Sequence, residues 1–113
     1  MPFIDTKTNV TICKEVEKSL TAEFGKAIEL IRGKSEYWLM LSFDGDKMMA
    51  FRGSDQPCAM VEVKIFGSAS DKEYSDLTKK LTEILSKHLP IPQDRIYVKY
   101  DEVSTWGLGG ENF

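Results

Sequence analysis

The chain has 113 residues, enough for one domain spanning 1–113 around a hydrophobic core, and its 42% hydrophobic and 29% charged residues are an ordinary globular balance. With 18 Asp+Glu against 15 Lys+Arg, and the lysines interleaved with acids as in Lys14-Glu15-Val16-Glu17-Lys18, there is no basic field to attract nucleic acid or an anionic membrane. The start has no apolar signal-peptide core and no apolar stretch reaches membrane-spanning length, so the expected setting is cytoplasmic, or release by a route that needs no signal peptide.

In chain order the first informative residue is Pro2. Within a chain proline is an amide without basicity, but if Met1 is removed its nitrogen becomes a secondary amine. A free α-amine has a pKa of roughly 7.7–8.0, and a modest downward shift in an apolar pocket leaves it neutral at pH 7, able to take a proton from carbon. From Phe3 to Thr8 the sequence reads as a strand. Apolar residues at Cys13, Val16, Leu20, Phe24, Ala27, Ile28 and Ile31 then have helical spacing, with Gly33 suited to a left-handed C-terminal cap and Gly25 weakening the helix by about 1 kcal/mol relative to alanine. Glu36 to Phe43 reads as a second strand, Tyr37, Leu39, Leu41 and Phe43 on one face and Trp38, Met40 and Ser42 on the other, ended by the turn Asp44-Gly45-Asp46.

The second half repeats the order. Ala59, Val61, Val63 and Ile65 alternate with Met60, Glu62, Lys64 and Phe66 before Gly67 breaks the strand. Ser70 and Glu73 have capping-box spacing ahead of a helical stripe of Tyr74, Leu77, Leu81, Ile84 and Leu85, which Pro90 and Pro92 stop. Arg95 to Asp101 forms the last main strand, with Ile96, Val98 and Tyr100 on one face and Tyr97 and Lys99 on the other. The expected fold is therefore α+β, two β-α-β units with parallel strands inside each, forming a four-stranded mixed sheet covered on one face by two helices. Ile4, Trp38 and Phe66 are assigned to the other face, which is expected to meet partner subunits.

Cys13 and Cys58 are too few and too far apart for a disulfide framework, and separate reduced thiols are expected. His88 is the single histidine and reads as a surface or capping residue of the second helix, so no metal is expected. The Gly107-Leu108-Gly109-Gly110 stretch lacks the strand-before, helix-after setting of a dinucleotide loop.

Several segments fall into one pattern: Met1-Pro2-Phe3-Ile4, Thr8-Asn9-Val10, Gly33-Lys34, Met49-Ala50-Phe51-Arg52-Gly53-Ser54 and Pro57-Cys58-Ala59. Further on come Pro92-Gln93-Asp94-Arg95-Ile96-Tyr97-Val98 and the ending Trp106-Gly107-Leu108-Gly109-Gly110-Glu111-Asn112-Phe113. In order and spacing these resemble the macrophage migration inhibitory factor family and its tautomerase relatives nearly end to end. The resemblance implies a homotrimer whose three sheets wrap into a barrel, with each active site between neighbouring subunits. It also implies keto–enol tautomerisation of small aromatic α-keto acids such as phenylpyruvate, without a cofactor.

Carried over residue by residue, the resemblance makes Pro2 the catalytic base and Lys34 the holder of the substrate carboxylate. The backbone amide of Phe66 would contact the same carboxylate, Tyr97 would reach in from an adjacent subunit, and Trp38 and Trp106 would lie near the rim. Taken alone, Lys34 is a lysine well placed at a helix C-terminus and Tyr97 is strand packing. Three departures stand out. Lys99 takes the place of an uncharged polar residue, which makes a more cationic pocket the expectation; the ending Leu108-Gly109-Gly110-Glu111-Asn112 differs from the usual Asn-Gly turn; and Cys58 has no second thiol in Cys-x-x-Cys spacing, so it reads as a buried structural residue. The competing expectations are a cytokine-like ligand of host receptors, its pocket vestigial or a docking surface, and a trimeric scaffold.

Overall fold

The computed structural model describes residues 1–113 and runs β1 (Pro2–Thr8), α1 (Lys14–Ala27), β2 (Met40–Asp44), β3 (Ala59–Phe66), α2 (Asp71–His88) and β4 (Ile96–Val103), then a hairpin of β5 (Gly107–Leu108) and β6 (Glu111–Asn112). The main sheet has the order β2-β1-β3-β4. Each unit is a parallel pair joined by a helix, β1 with β2 and β3 with β4, and the two units meet in the antiparallel pairing of β1 with β3. That is the α+β arrangement read from the sequence, and the helices lie together on one face.

Period-two alternation decides which face each strand residue takes. In β3, Ala59, Val61, Val63 and Ile65 are buried beneath the helices. They join Leu20, Phe24 and Ile28 of the first helical segment and Leu77, Leu81, Ile84 and Leu85 of α2 in one cluster of 16 buried residues. Phe24 is fully buried, so its truncation to alanine would cost about 3–5 kcal/mol. Between the helices Glu23 of α1 pairs with Lys87 and His88 of α2, which gives the lone histidine a bridging role. The Ser70–Glu73 capping box forms as its spacing indicates. Cys13 is exposed, Cys58 is buried, and both are free thiols.

Three sequence expectations are corrected. Ile4 faces the helices and is fully buried, because it stands opposite Val63 in the antiparallel register and shares its face. The strand expected from Glu36 begins only at Met40, and Glu36–Trp38 winds into a 3-10 turn closed by Leu39 N–H to Glu36 O at 3.1 Å. The register explains why: Met40 is opposite Phe3, which puts Leu39 opposite Pro2, the first residue of β1, so residues 36–38 would run past the start of that strand with none to pair with. Trp38 is therefore not on a strand face at all. Lastly, α1 ends at Ala27 and the apolar stripe continues to Ile31 through a 3-10 turn over Ile28–Leu30.

The helix-free face is more polar than expected. Asp5, Lys7, Glu62, Lys64, Lys99 and Asp101 occupy it, and Glu62 collects Lys7, Lys64 and Lys99 at 3.6–3.7 Å. No helix is long and apolar enough to cross a membrane.

Candidate active site

The antiparallel register that puts Pro2 opposite Ile65 also brings the residue before β1 beside the last residue of β3. The Phe66 N–H donates to the Met1 carbonyl at 2.9 Å, and Lys34 Nζ donates to the Phe66 carbonyl at 2.9 Å. Lys34 gets there because Gly33, at φ 81°, takes the left-handed conformation that ends the first helical segment, and the Lys34 N–H returns to Ile31 O at 3.1 Å. Phe66 thus has both backbone groups engaged at the head of β1, one by Met1 and one by Lys34.

Beside this cluster opens a cleft of about 820 Å³. Its walls are Met1, Pro2 and Phe3 on one side, Tyr37, Trp38 and Leu39 of the 3-10 turn with Met40 and Leu41 of β2 on another, and Trp106, Gly107 and Leu108 of the closing hairpin. Nine of the 11 lining residues are hydrophobic, so the cleft suits a flat apolar body whose charge is held at one end. Tyr37 and Trp38 meet edge to face at 4.8 Å, and Phe66 lies near both Trp106 and Phe113, with ring centroids 6.5 and 6.2 Å away.

The hairpin wall is fixed by its turn. Gly109 (φ 62°) and Gly110 (φ 93°) take the positive dihedrals of a two-residue hairpin loop, and Phe113 N–H closes onto Trp106 O at 2.9 Å. The unusual ending is therefore an ordered strap along the cleft.

An amine at the start of β1 is electrostatically tuned. Burial, then the charge of Lys34, then a hydrogen bond with Lys34 bring the Met1 amine down to about 6 from its usual 8.0. A positive neighbour and a low-dielectric wall both favour the neutral amine.

Of the residues expected at a site, Pro2, Trp38 and Trp106 line the cleft, and Lys34 and the Phe66 backbone stand at its head. Tyr97 and Lys99 are elsewhere. Pro2 lies opposite Ile65 and Ile65 opposite Glu102, so Tyr97 is five residues down β4 from the head of the cleft, about 17 Å at the usual strand rise. Lys99 is held by Asp101 at 3.3 Å and Glu62 at 3.6 Å on its own face of the sheet, so its charge is partly compensated there.

The sequence reading missed Tyr37, Met40, Leu108 and Phe113. Tyr37 had been grouped with the core face of a strand that does not form there. Leu108 and Phe113 were recoverable from Gly109-Gly110, a dipeptide that favours a tight hairpin and folds the chain end back on itself.

The family model for Macrophage migration inhibitory factor (MIF) matches residues 1–112. The chain belongs to the macrophage migration inhibitory factor family. It is 29% identical to the Macrophage migration inhibitory factor of Xenopus laevis over 96% of this chain and 94% of the relative. To the Macrophage migration inhibitory factor homolog of Brugia malayi it is 25% identical, over 100% of this chain and 99% of the relative. Among solved structures it is similar to Leishmania major MIF2, with a TM-score of 0.94 and 30% identity over 100% of this chain and 97% of that one. It is also similar to the homologue from Prochlorococcus marinus, with a TM-score of 0.89 and 28% identity over 98% of both chains. Membership supports a function of the family's general kind, tautomerase or cytokine-like.

Proposed function

We propose that the protein is a cofactor-independent keto–enol tautomerase of phenylpyruvate-like α-keto acids, with Pro2 as general acid and base once Met1 is removed. The observation that carries this reading is the placement of Met1: its carbonyl oxygen takes the Phe66 N–H beside Lys34, at the head of the apolar cleft. Removal of Met1 leaves a secondary amine at that point and frees the Phe66 N–H. A substrate carboxylate oxygen can then accept the freed Phe66 N–H, with the Lys34 ammonium alongside.

The chemistry follows from that pose. Burial and the Lys34 charge act on any amine at the head of β1, so a Pro2 amine is largely neutral near pH 7 and available as a base. Its nitrogen takes a proton from the carbon next to the carbonyl, the electron pair of that C–H bond forms the carbon–carbon double bond, and the carbonyl oxygen gains the negative charge. The resulting ammonium supplies the proton to that oxygen, and nothing is oxidised or reduced. The aromatic ring of the substrate fits between Trp38 and Trp106.

A homotrimer with sites between subunits completes the reading, since Tyr97 can join a cleft only from another copy of the chain. Intact mass, Pro2→Gly kinetics and sedimentation test it together. Loss of Met1, loss of phenylpyruvate turnover in Pro2→Gly and a trimeric mass are the expected results; a retained Met1, or full turnover in Pro2→Gly, refutes the mechanism. Receptor binding that survives Pro2→Gly would favour the cytokine-like alternative.

A further inference from the structure

We infer that Phe51, locked in place by Arg95, is a positioning residue that sets the orientation of Tyr97 as that side chain enters the cleft of a neighbouring subunit. The inference rests on the trimeric site proposed above.

Tyr97 sits on the helix-free face of β4 and is 60% exposed, so its own strand does little to hold the ring. Its aromatic partner is Phe51, which meets it edge to face with centroids 4.9 Å apart and planes at 73°. Such pairs have a preferred geometry, so a fixed Phe51 ring restricts the Tyr97 ring.

Phe51 comes from the segment between β2 and β3, which has no strand or helix of its own and whose Met48 is fully exposed. Two polar side chains give that segment its shape. Asn9 donates to the carbonyls of Asp55 (2.9 Å) and Gln56 (3.1 Å) and accepts the Cys58 N–H (2.9 Å). Arg95 does more: its guanidinium donates to the carbonyls of Phe51 (3.1 Å), Ser54 (3.0 Å), Gln56 (3.0 Å) and Pro57 (2.9 Å). Four carbonyls turned onto one fork tie residues 51–57 to the start of β4.

Within it, Phe51 to Ser54 forms a tight turn. Arg52 (φ 55°) and Gly53 (φ 71°) hold positive dihedrals, and Phe51 and Ser54 exchange both backbone hydrogen bonds, at 2.9 and 3.1 Å. The Phe51 ring is then flanked by two cations, with Arg52 Cζ 4.9 Å and Arg95 Cζ 5.3 Å from its centroid. Arg95 lies two residues before Tyr97, so the residue that orders the loop is tied to the start of the strand that carries the tyrosine. Lysine cannot take its place, because a single ammonium cannot reach four separated carbonyls.

The test is a double-mutant cycle between Phe51→Leu and Tyr97→Ala, read as phenylpyruvate turnover and as binding of phenylpyruvate followed by tryptophan fluorescence. Phe51→Leu alone should raise KM and Kd about 3- to 10-fold with a smaller change in kcat, the scale of one lost aromatic contact. In the Tyr97→Ala background the same substitution should change neither. If Phe51→Leu does not fold, Arg95→Lys is carried through the same cycle with the same expectation. Equal losses in both backgrounds would make Phe51 a merely structural residue and overturn the inference, as would an unchanged KM in Tyr97→Ala. Binding that follows the cycle without Pro2-dependent turnover would instead overturn the tautomerase reading and leave the positioning intact.

Discussion

Glu73 accepts the Arg32 backbone N–H on one carboxylate oxygen at 2.7 Å and, on the other, the Ser70 N–H and hydroxyl at 2.9 and 2.8 Å. One side chain therefore caps α2 and tethers the turn that carries Lys34. The backbone N–H groups of Arg32 and Ser70, then the Ser70 hydroxyl, hold its carboxyl down to about 2 from 4.5.

The first prediction follows from the sign of that shift. A carboxyl with a depressed folded-state pKa contributes stability that is complete above 4.5 and is lost as pH falls from there through 2. Glu73→Gln should flatten the thermal-stability profile across that window. At neutral pH Glu73→Ala, which removes both acceptor oxygens, should also raise KM for a keto acid more than it lowers kcat, because the Lys34 turn loses its tether. Thermal melts against pH and steady-state kinetics measure the two effects separately.

A chain with Met1 retained should show an α-amine that titrates at about 6. Because the folded pKa lies below the usual 8.0, the unfolded chain binds more protons between those values, so this group makes stability rise with pH from 6 to 8 and adds no slope outside that window. In Lys34→Met the amine should move only part of the way back towards 8.0, since burial is the larger cause and remains. Reaction of the α-amine with an acylating reagent, followed by mass across pH, reads both values.

Glu62 is the hub of the ion pairs on the helix-free face, with Lys7, Lys64 and Lys99 all within 3.7 Å. Glu62→Gln leaves three neighbouring ammonium groups with less compensation. The variant should melt earlier at about 0.01 M salt and recover most of the difference near 1 M, where the Debye length is roughly 3 Å. A deficit that does not depend on salt would mean that packing rather than charge is lost.

Gly25 in α1 would normally be improved by alanine, by about 1 kcal/mol. Here a Cβ at that position would run into the Glu36 side chain, coming within 3.1 Å of its Cβ. Gly25→Ala should gain little in thermal denaturation, whereas Gly25→Ala compared within a Glu36→Gly background, which removes that Cβ, should show the full helix gain. The glycine that weakens the helix on paper is what lets the 3-10 turn bearing Trp38 sit against it.

The contrast between what could and could not be read from the sequence has a physical basis. Val61, Val63 and Ile65 alternate under two helices, and Ser70 with Glu73 closes a local box, so periodicity and short-range spacing disclose them. The segment 36–38 keeps the same alternation but has no strand to pair with, and pairing is not a local property. Ile4 was misassigned for a related reason: its face depends on its register with Val63, 59 residues away. At the candidate site, Pro2, Lys34, Trp38 and Trp106 could be named from sequence through the family resemblance, but the joining of Lys34 to Met1 through Phe66 is a tertiary arrangement. Tyr97 belongs to a different end of the sheet, and no reading of one chain unites it with Pro2.

The cleft draws one wall from residues 1–3 and another from residues 106–108. During synthesis the first of these leaves the ribosome about a hundred residues before the second. Until then the cleft lacks its hairpin wall, and the head of β1 stays open on that side while most of the chain is made. Closing the cleft is thus the last step that the layout of the chain allows.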